Sequence, residues 1–311
     1  MIPKDIDIVC LGEAMIEFTR VRNSPNGPLF VQGLGGDTSN CAIAAARQGA
    51  TAAYMTVLGD DKFGKMALCL WKSEGIIVSG VSLDPKSPTG IYFIEPLVQG
   101  REFTYYRKGS AASRMTSHNI NPDVIERASF LHFSSISQAI SKNASDACQQ
   151  ALKLAKKHNT QISYDINLRL NLWNIEMARD TVHKTAALVD ILLPSLDESR
   201  ILTGLESVED IVEFYLQFKP SLLVLKCGSE GAIVAYNEQK EHIKAIEAKV
   251  LDTSGAGDTF DGAFLARLTS GDHPVEAARY AVVAAGLSVE GYGAVTPIPN
   301  KAEVLQKMKG D

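Results

Sequence analysis

The feature that most limits how this chain folds is a regular alternation of short apolar runs with amphipathic stretches. The runs at 130–133, 161–165, 190–193 and 222–226 read as strands, and the stretches at 145–158, 175–188, 197–202 and 208–218 carry apolar residues at helical spacing. Further short strands are expected at 233–236 and 242–246. The front of the chain continues the pattern, with strands at 6–11 and 51–58 and helices at 42–48 and 63–73. Strands that alternate with helices pair in parallel, because a parallel neighbour needs a crossover long enough to hold a helix. Such a sheet is covered on both faces. The expected fold class is therefore α/β, with a mainly parallel central sheet flanked by helices. A chain of 311 residues, 45% hydrophobic, suffices to bury a large core of this kind.

Ligands of such sheets bind beyond the carboxyl ends of the strands, and polar motifs fall there. They are Asp165-Ile166-Asn167-x-Arg169, Pro194-Ser195-x-x-Glu198 and Lys226-Cys227-Gly228-x-x-Gly231. Each also has a plain structural meaning. Asp165 and Asn167 can cap a turn, Glu198 can pair with Arg200 on a solvated helix face, and Gly228 and Gly231 can make a hairpin turn.

The densest motif comes late. Asp252-Thr253-Ser254-Gly255-Ala256-Gly257-Asp258 runs from a loop into a helix with apolar positions at Phe260, Ala263, Phe264 and Leu268. Small residues at a helix start let backbone N–H groups converge on an anion, and the helix dipole favours negative charge there. A carboxylate at Asp258 would repel a resting phosphate. Its placement makes sense if it takes a proton from an attacking hydroxyl. The alternative is an ordinary glycine-containing helix start with Asp as charge partner. A second Gly-rich step, Gly33-Leu34-Gly35-Gly36, precedes Asn40. It serves either close approach of a ligand to backbone or a tight strand-to-helix connection.

A net charge of −5 and a pI near 5.7 give no reason to expect nucleic acid or an anionic membrane as partner. The five cysteines are scattered, with none at metal-ligand spacing. Reduced thiols and a cytoplasmic location are expected. The apolar run at 6–11 lacks the flanks of a signal peptide, and no stretch is long and apolar enough to cross a bilayer. A nicotinamide dehydrogenase needs G-x-G-x-x-G after its first strand, which Gly33-x-Gly35-Gly36 does not match.

The ordered string D-T-x-G-A-G-D-x-F at 252–260 resembles the C-terminal signature of the PfkB, or ribokinase-like, carbohydrate kinases. Gly35-Gly36-x-x-x-Asn40-x-Ala42, with Leu58-Gly59-Asp60-Asp61-x-Phe63-Gly64, resembles their N-terminal signature. The resemblance covers nearly the whole chain. It implies one ribokinase-like domain over 1–311, with a small β-sheet lid from segments near 16–32 and 89–108. It implies Asp258 as catalytic base and the N–H groups of Gly255, Ala256 and Gly257 as an anion hole. Gly35, Gly36 and Asn40 would hold sugar hydroxyls, with Glu17 standing where many relatives carry Asp. ATP and Mg²⁺ are the implied cofactors, with Glu198 near the metal through water. Asn167, Ser195, Lys226, Gly228 and Gly231 would follow the nucleotide, though Ser195 replaces the family's Asn. A helix at 281–287 would lie beside the adenine and 291–299 would form a closing loop. A monovalent cation near Asp252 is left open. In the lid, alternation around a turn at 98–100 would turn Tyr92, Tyr105 and Arg107 to the substrate and Tyr106 away. Exposed lid edges favour a homo-oligomer, a dimer or higher.

The segments 105–113 and 164–173, and Gly35-Gly36-Asp37-Thr38, look most like the 2-keto-3-deoxygluconate kinases of that family. Two arginines near a sugar, Arg107 and Arg169, suit a carboxylate, which accepts paired charge-assisted bonds. The implied reaction is ATP-dependent phosphorylation of the 6-hydroxyl of a sugar acid. Fructokinases carry similar pieces and are the alternative. A non-catalytic sugar sensor would be expected to lose the base or the nest, and both are present.

Overall fold

The computed structural model describes residues 3–21, 27–96 and 101–310. The turn expected at 98–100, and residues 22–26 of the lid segment expected near 16–32, lie outside the described residues. Strand β1 (Ile6–Leu11) leads through Gly12 and Glu13 into β2 (Met15–Arg20), and β3 (Phe30–Gly35) leads into α1 (Asp37–Arg47). Then come β4 (Ala52–Gly59), α2 (Lys62–Ser73), β5 (Ile77–Asp84), β6 (Ile91–Pro96) and β7 (Arg101–Tyr106). The middle of the chain holds α3 (Pro122–Arg127), β8 (Ala128–Ser134), α4 (Ser135–Ala139), α5 (Lys142–Lys157), β9 (Gln161–Asp165) and α6 (Ile175–Ala186). There follow β10 (Ile191–Leu193), α7 (Leu196–Thr203), α8 (Val208–Leu216), β11 (Leu222–Lys226), β12 (Ala232–Tyr236) and β13 (Gln239–Ile243). The chain ends with α9 (Ala256–Thr269), α10 (Pro274–Ser288) and α11 (Lys301–Gly310).

Local sequence sets several helix starts. Ser141, Asn174 and Ser207 each accept a bond from a backbone N–H three residues on, at 3.0, 2.8 and 3.0 Å. These side chains satisfy donors that a helix leaves open in its first turn. Two helices begin earlier than their apolar spacing suggests. α1 starts at Asp37, directly after Gly36, and α10 starts at Pro274, a residue suited to a first helical position.

Among the described residues, nine strands form the main sheet in the order β13-β12-β11-β10-β9-β8-β1-β4-β5. From β11 to β5 every pairing is parallel, and only β12 and β13 pair antiparallel. The chain therefore moves outward from β1 to β5, returns to β8 beside β1, and moves outward the other way. That reversal is the place where such sheets open a crevice at their carboxyl edge. In β1, Ile8 and Cys10 join a core with α1, α9 and α10, whereas Val9 and Leu11 join a second core with α5, α6 and α8. Burial on both faces is why these strands read as unbroken apolar runs.

A separate four-stranded sheet, ordered β3-β2-β6-β7, stands apart from the main one. Glu17 registers with Tyr92, and Tyr92 with Tyr105, so the three form one row across a single face. Tyr106 points to the opposite face and is exposed. Among the described residues no helix is long and apolar enough to cross a membrane.

Candidate active site

The loop before α9 is held open by its own acid. Asp252 accepts from the backbone N–H of Ser254 and of Gly293, each at 2.8 Å, which ties the loop to the closing segment at 291–299. Gly255 then caps α9 with φ 73°, a left-handed conformation, and a side chain there would meet the Ala294 carbonyl at 2.9 Å. Gly257 does not share that conformation. The conformational demand for glycine in this motif thus falls on Gly255. After the cap, the N–H groups of the first turn lack helical acceptors; that of Ala256 donates to the Thr253 carbonyl at 3.3 Å, and Gly255, Ala256 and Gly257 line the cleft.

Asp258 lies one residue beyond this nest, and Asn40 Nδ2 donates to its Oδ2 at 2.8 Å. Two helices must approach closely to allow that bond. α1 is rich in alanine where it meets α9, and any side chain at Gly262 would strike the Cys41 carbonyl. Burial pushes the Asp258 carboxyl up to about 7, helped by the nearby charges of Asp37 and Asp165 and opposed by Asn40 and Lys226. Asn40 Oδ1 is buried and has no protein partner.

The double glycine before α1 is demanded by packing. A side chain on Gly35 would run into the Tyr92 hydroxyl, and Gly36, at φ 133°, leaves no room beside the Glu13 carbonyl. Gly36 lines the cleft, and Gly35 lies behind Tyr92. The Tyr92 hydroxyl donates to Glu17 Oε2 at 2.5 Å, and Thr19 donates to Glu17 Oε1 at 2.8 Å. Glu17 therefore reaches the cleft as part of the small sheet.

The two arginines are not free. Arg107 meets Glu13 through Nε at 2.7 Å and Nη2 at 2.5 Å, and Ser110 donates to the other oxygen of Glu13 at 2.5 Å. The Glu13 side chain is fully buried. Arg169 Nη1 lies 3.2 Å from Glu198 Oε1. The Tyr105 ring centroid lies 5.8 Å from the Arg107 guanidinium, and burial raises its hydroxyl while Arg169 and Arg107 oppose the rise. Glu198 pairs with Arg169, whereas Arg200 turns to Asp197 and Glu206. Burial pushes Glu198 up to about 7, with Asp165 adding to the rise, and its Oε2 has no protein partner.

Lys226, at the end of β11, is buried. Its Nζ lies 3.0 Å from Asp165 Oδ1, and 3.0 and 2.9 Å from the two oxygens of Asp261. Ser195 bridges to Lys226 through backbone, and Asn167, with φ 36°, turns the chain after β9. Lys226, Asp165, Ser195 and Asn167 line one cleft of about 870 Å³ beyond the carboxyl edge of the main sheet, under the small sheet, and Asp261 lies buried behind the Lys226 ammonium without lining it. Gly228 and Gly231 do not line it. They form the turn from β11 to β12, where any side chain on Gly231 would collide with the Ile243 carbonyl. Sequence reasoning missed Glu13, Asp37 and Asp261 as members of this region. Among the described lining residues, seven are carboxylates and three are cations. Among the described residues no cluster of three metal-binding side chains occurs.

A family model described as pfkB family carbohydrate kinase matches residues 5–301. A 2-dehydro-3-deoxygluconokinase of Thermoproteus tenax is 34% identical, over 97% of this chain and 94% of its own length. Fructokinase-1 of Oryza sativa subsp. japonica is 33% identical, over 97% of each. Among solved structures, a putative ribokinase II from E. coli in complex with ATP and Mg²⁺ superposes with a TM-score of 0.90. It covers 98% of this chain and 100% of its own, at 22% identity.

Proposed function

We propose that this chain, which belongs to the pfkB family of carbohydrate kinases, transfers the γ-phosphoryl group of ATP to the 6-hydroxyl of 2-keto-3-deoxy-D-gluconate. The observation that carries this is Asp258, fixed by Asn40 at 2.8 Å, one residue beyond a glycine-capped helix start. Asn40 engages Oδ2, which leaves Oδ1 for the proton of the attacking hydroxyl. The N–H groups of Gly255, Ala256 and Gly257 would hold the charge that builds on the transferring group. Gly36, Asn40 and Glu17 would orient the sugar, under a lid near 16–32 and 89–108. Asn167, Ser195 and Lys226 border the nucleotide side. Gly228 and Gly231 would act there only through the shape of their turn.

Mg²⁺ fits the residues present, because Glu198 Oε2 is a buried oxygen with no protein partner. One carboxylate plus phosphates and water is an ordinary Mg²⁺ environment. When bound, the ion would offset phosphate charge in a cleft already rich in carboxylates.

The sugar acid is favoured by Arg107 and Arg169, which both line the cleft and whose charges both act on Tyr105. A second substrate, fructose, is favoured by a different observation, since both arginines already have carboxylate partners. The relatives include both kinds of enzyme. ADP release measured with each sugar decides between them, and no release with any sugar would favour a sensor. A second copy covering the edges of the small sheet, where Val31 and Tyr106 are exposed, is part of the same proposal. The mass of a single chain in solution would overturn it.

A further inference from the structure

Lys226 uses its charge internally. It is buried, and its ammonium lies within 3.0 Å of both Asp165 and Asp261. These three residues come from the ends of β9 and β11 and from α9. The same ammonium lies 3.6 Å from the place a Cβ on Gly257 would occupy. Asp261 follows Asp258 by three positions, so both project from one side of α9. A cation is thus clamped beside the nest and near the aspartate.

We propose that the Asp165–Lys226–Asp261 triad is a positioning and charge-setting device for the phosphoryl nest and for Asp258. Lys226 acts through the first turn of α9 and does not need to touch the nucleotide. This rests on Asp258 being the base, and it is independent of which sugar is used.

A lone buried ion pair gives little net stability, because desolvation offsets the attraction. A triad that binds two strand ends to a helix start gains something else, a fixed distance between them. Burial raises the Asp261 carboxyl well above the usual range while Lys226 opposes the rise, so the charge of the triad is set close to the reacting carboxylate. The groups facing Asp258 are Asp37 and Asn40 from α1, Asp165 from β9, Lys226 from β11, Tyr92 from the small sheet, and Asp261 on its own helix. Glu198 faces the triad from α7. Lys226 favours the ionised form of Asp258 and Asp165 opposes it. The attraction of the two aspartates holds the Lys226 ammonium firmly protonated despite burial.

The test is the pH dependence of kcat/KM in wild type, Asp165→Asn and Lys226→Met, with ATP and the preferred sugar. Asp165→Asn removes the triad charge that raises Asp258, so the acid limb should move to lower pH by about one unit. Lys226→Met removes the positive charge, so the limb should move to higher pH. A structural role alone would lower kcat without moving the limb. If Lys226→Met does not fold, Asp165→Asn decides alone. A limb that stays in place in Asp165→Asn, or moves upward, overturns the proposal. A wild-type profile with no acid limb would instead overturn Asp258 as base, so the two failures are distinguishable.

Discussion

Asn40 on α1 and Asp258 on α9, 218 positions apart, are joined side chain to side chain at 2.8 Å. The bond fixes which oxygen of Asp258 faces the cleft. Replacing Asp258 with Asn removes the proton acceptor while keeping the shape. The expected loss in kcat is about 10²- to 10⁴-fold. Nucleotide affinity should change little, because the nest is backbone. A purified variant with near wild-type kcat would rule out the base.

The proton affinity of Asp258 predicts a pH profile. Burial raises its carboxyl from the usual range to about 7. A base works deprotonated, so kcat/KM should fall as pH drops through that value, by about tenfold per unit below it. Asn40 donates to the charged form and so holds the value down. Asn40→Ala should move the limb to higher pH, and an unmoved limb would show that the bond does not act in the working enzyme.

The two glycines of the nest should fail differently. Gly255→Ala places a side chain at φ 73° and against the Ala294 carbonyl. It should lower stability by about 1–2 kcal/mol, read as a drop in Tm. Gly257→Ala meets nothing closer than the Lys226 ammonium at 3.6 Å, so Tm should hold. Its methyl group would stand in the phosphate path and lower kcat/KM for ATP. Equal Tm losses in both variants would contradict the assignment of strain to Gly255.

Contiguous features were the legible ones. The alternation of strand and helix gave the main sheet, and the run from Asp252 to Asp258 is unbroken in sequence. Long-range pairing was not legible, because topology decides it. Arg107 finds Glu13 94 positions away, and Lys226 finds Asp261 35 positions on. One signal was available: Asp261 is a charge set among Phe260, Ala263 and Phe264 on a helix that packs into the core. A buried charge in such a place requires a partner. Glu13 gave a similar sign, as an acid two residues beyond the largely buried strand β1. The turn residues Gly228 and Gly231 misled for the opposite reason, since a hairpin and a ligand loop use the same glycines.

Substrate should order the small sheet. Tyr92 and Tyr105 stack with ring centroids 5.6 Å apart and face the cleft, while Phe103 and Tyr106 stay exposed. An element with so little of its own core opens easily. Hydrogen exchange at 91–96 and 101–106 should slow when sugar is added. Unchanged exchange at saturating sugar would count against a lid.

The choice of sugar acid over fructose is the sharpest test, and the Glu13–Arg107 pair changes how it must be done. If Arg107 were unpaired, fructose would leave a bare guanidinium in the site. It is paired, so the penalty for a neutral sugar is smaller than unpaired charges would give. Arg107 still keeps the end of its guanidinium that Glu13 does not engage, and a carboxylate can bind there. The expected preference for the acid in kcat/KM is about tenfold or more, near one good hydrogen bond to a charged group. Arg107→Met alone is a poor probe, because it strands a fully buried Glu13, a change that costs about 3–5 kcal/mol. Arg107→Met with Glu13→Gln removes both charges together and should recover much of that Tm loss. In the double variant, kcat/KM for 2-keto-3-deoxygluconate should fall well below that for fructose relative to wild type. An equal loss for both sugars, or equal use of both by wild type, would transfer the assignment to a fructokinase.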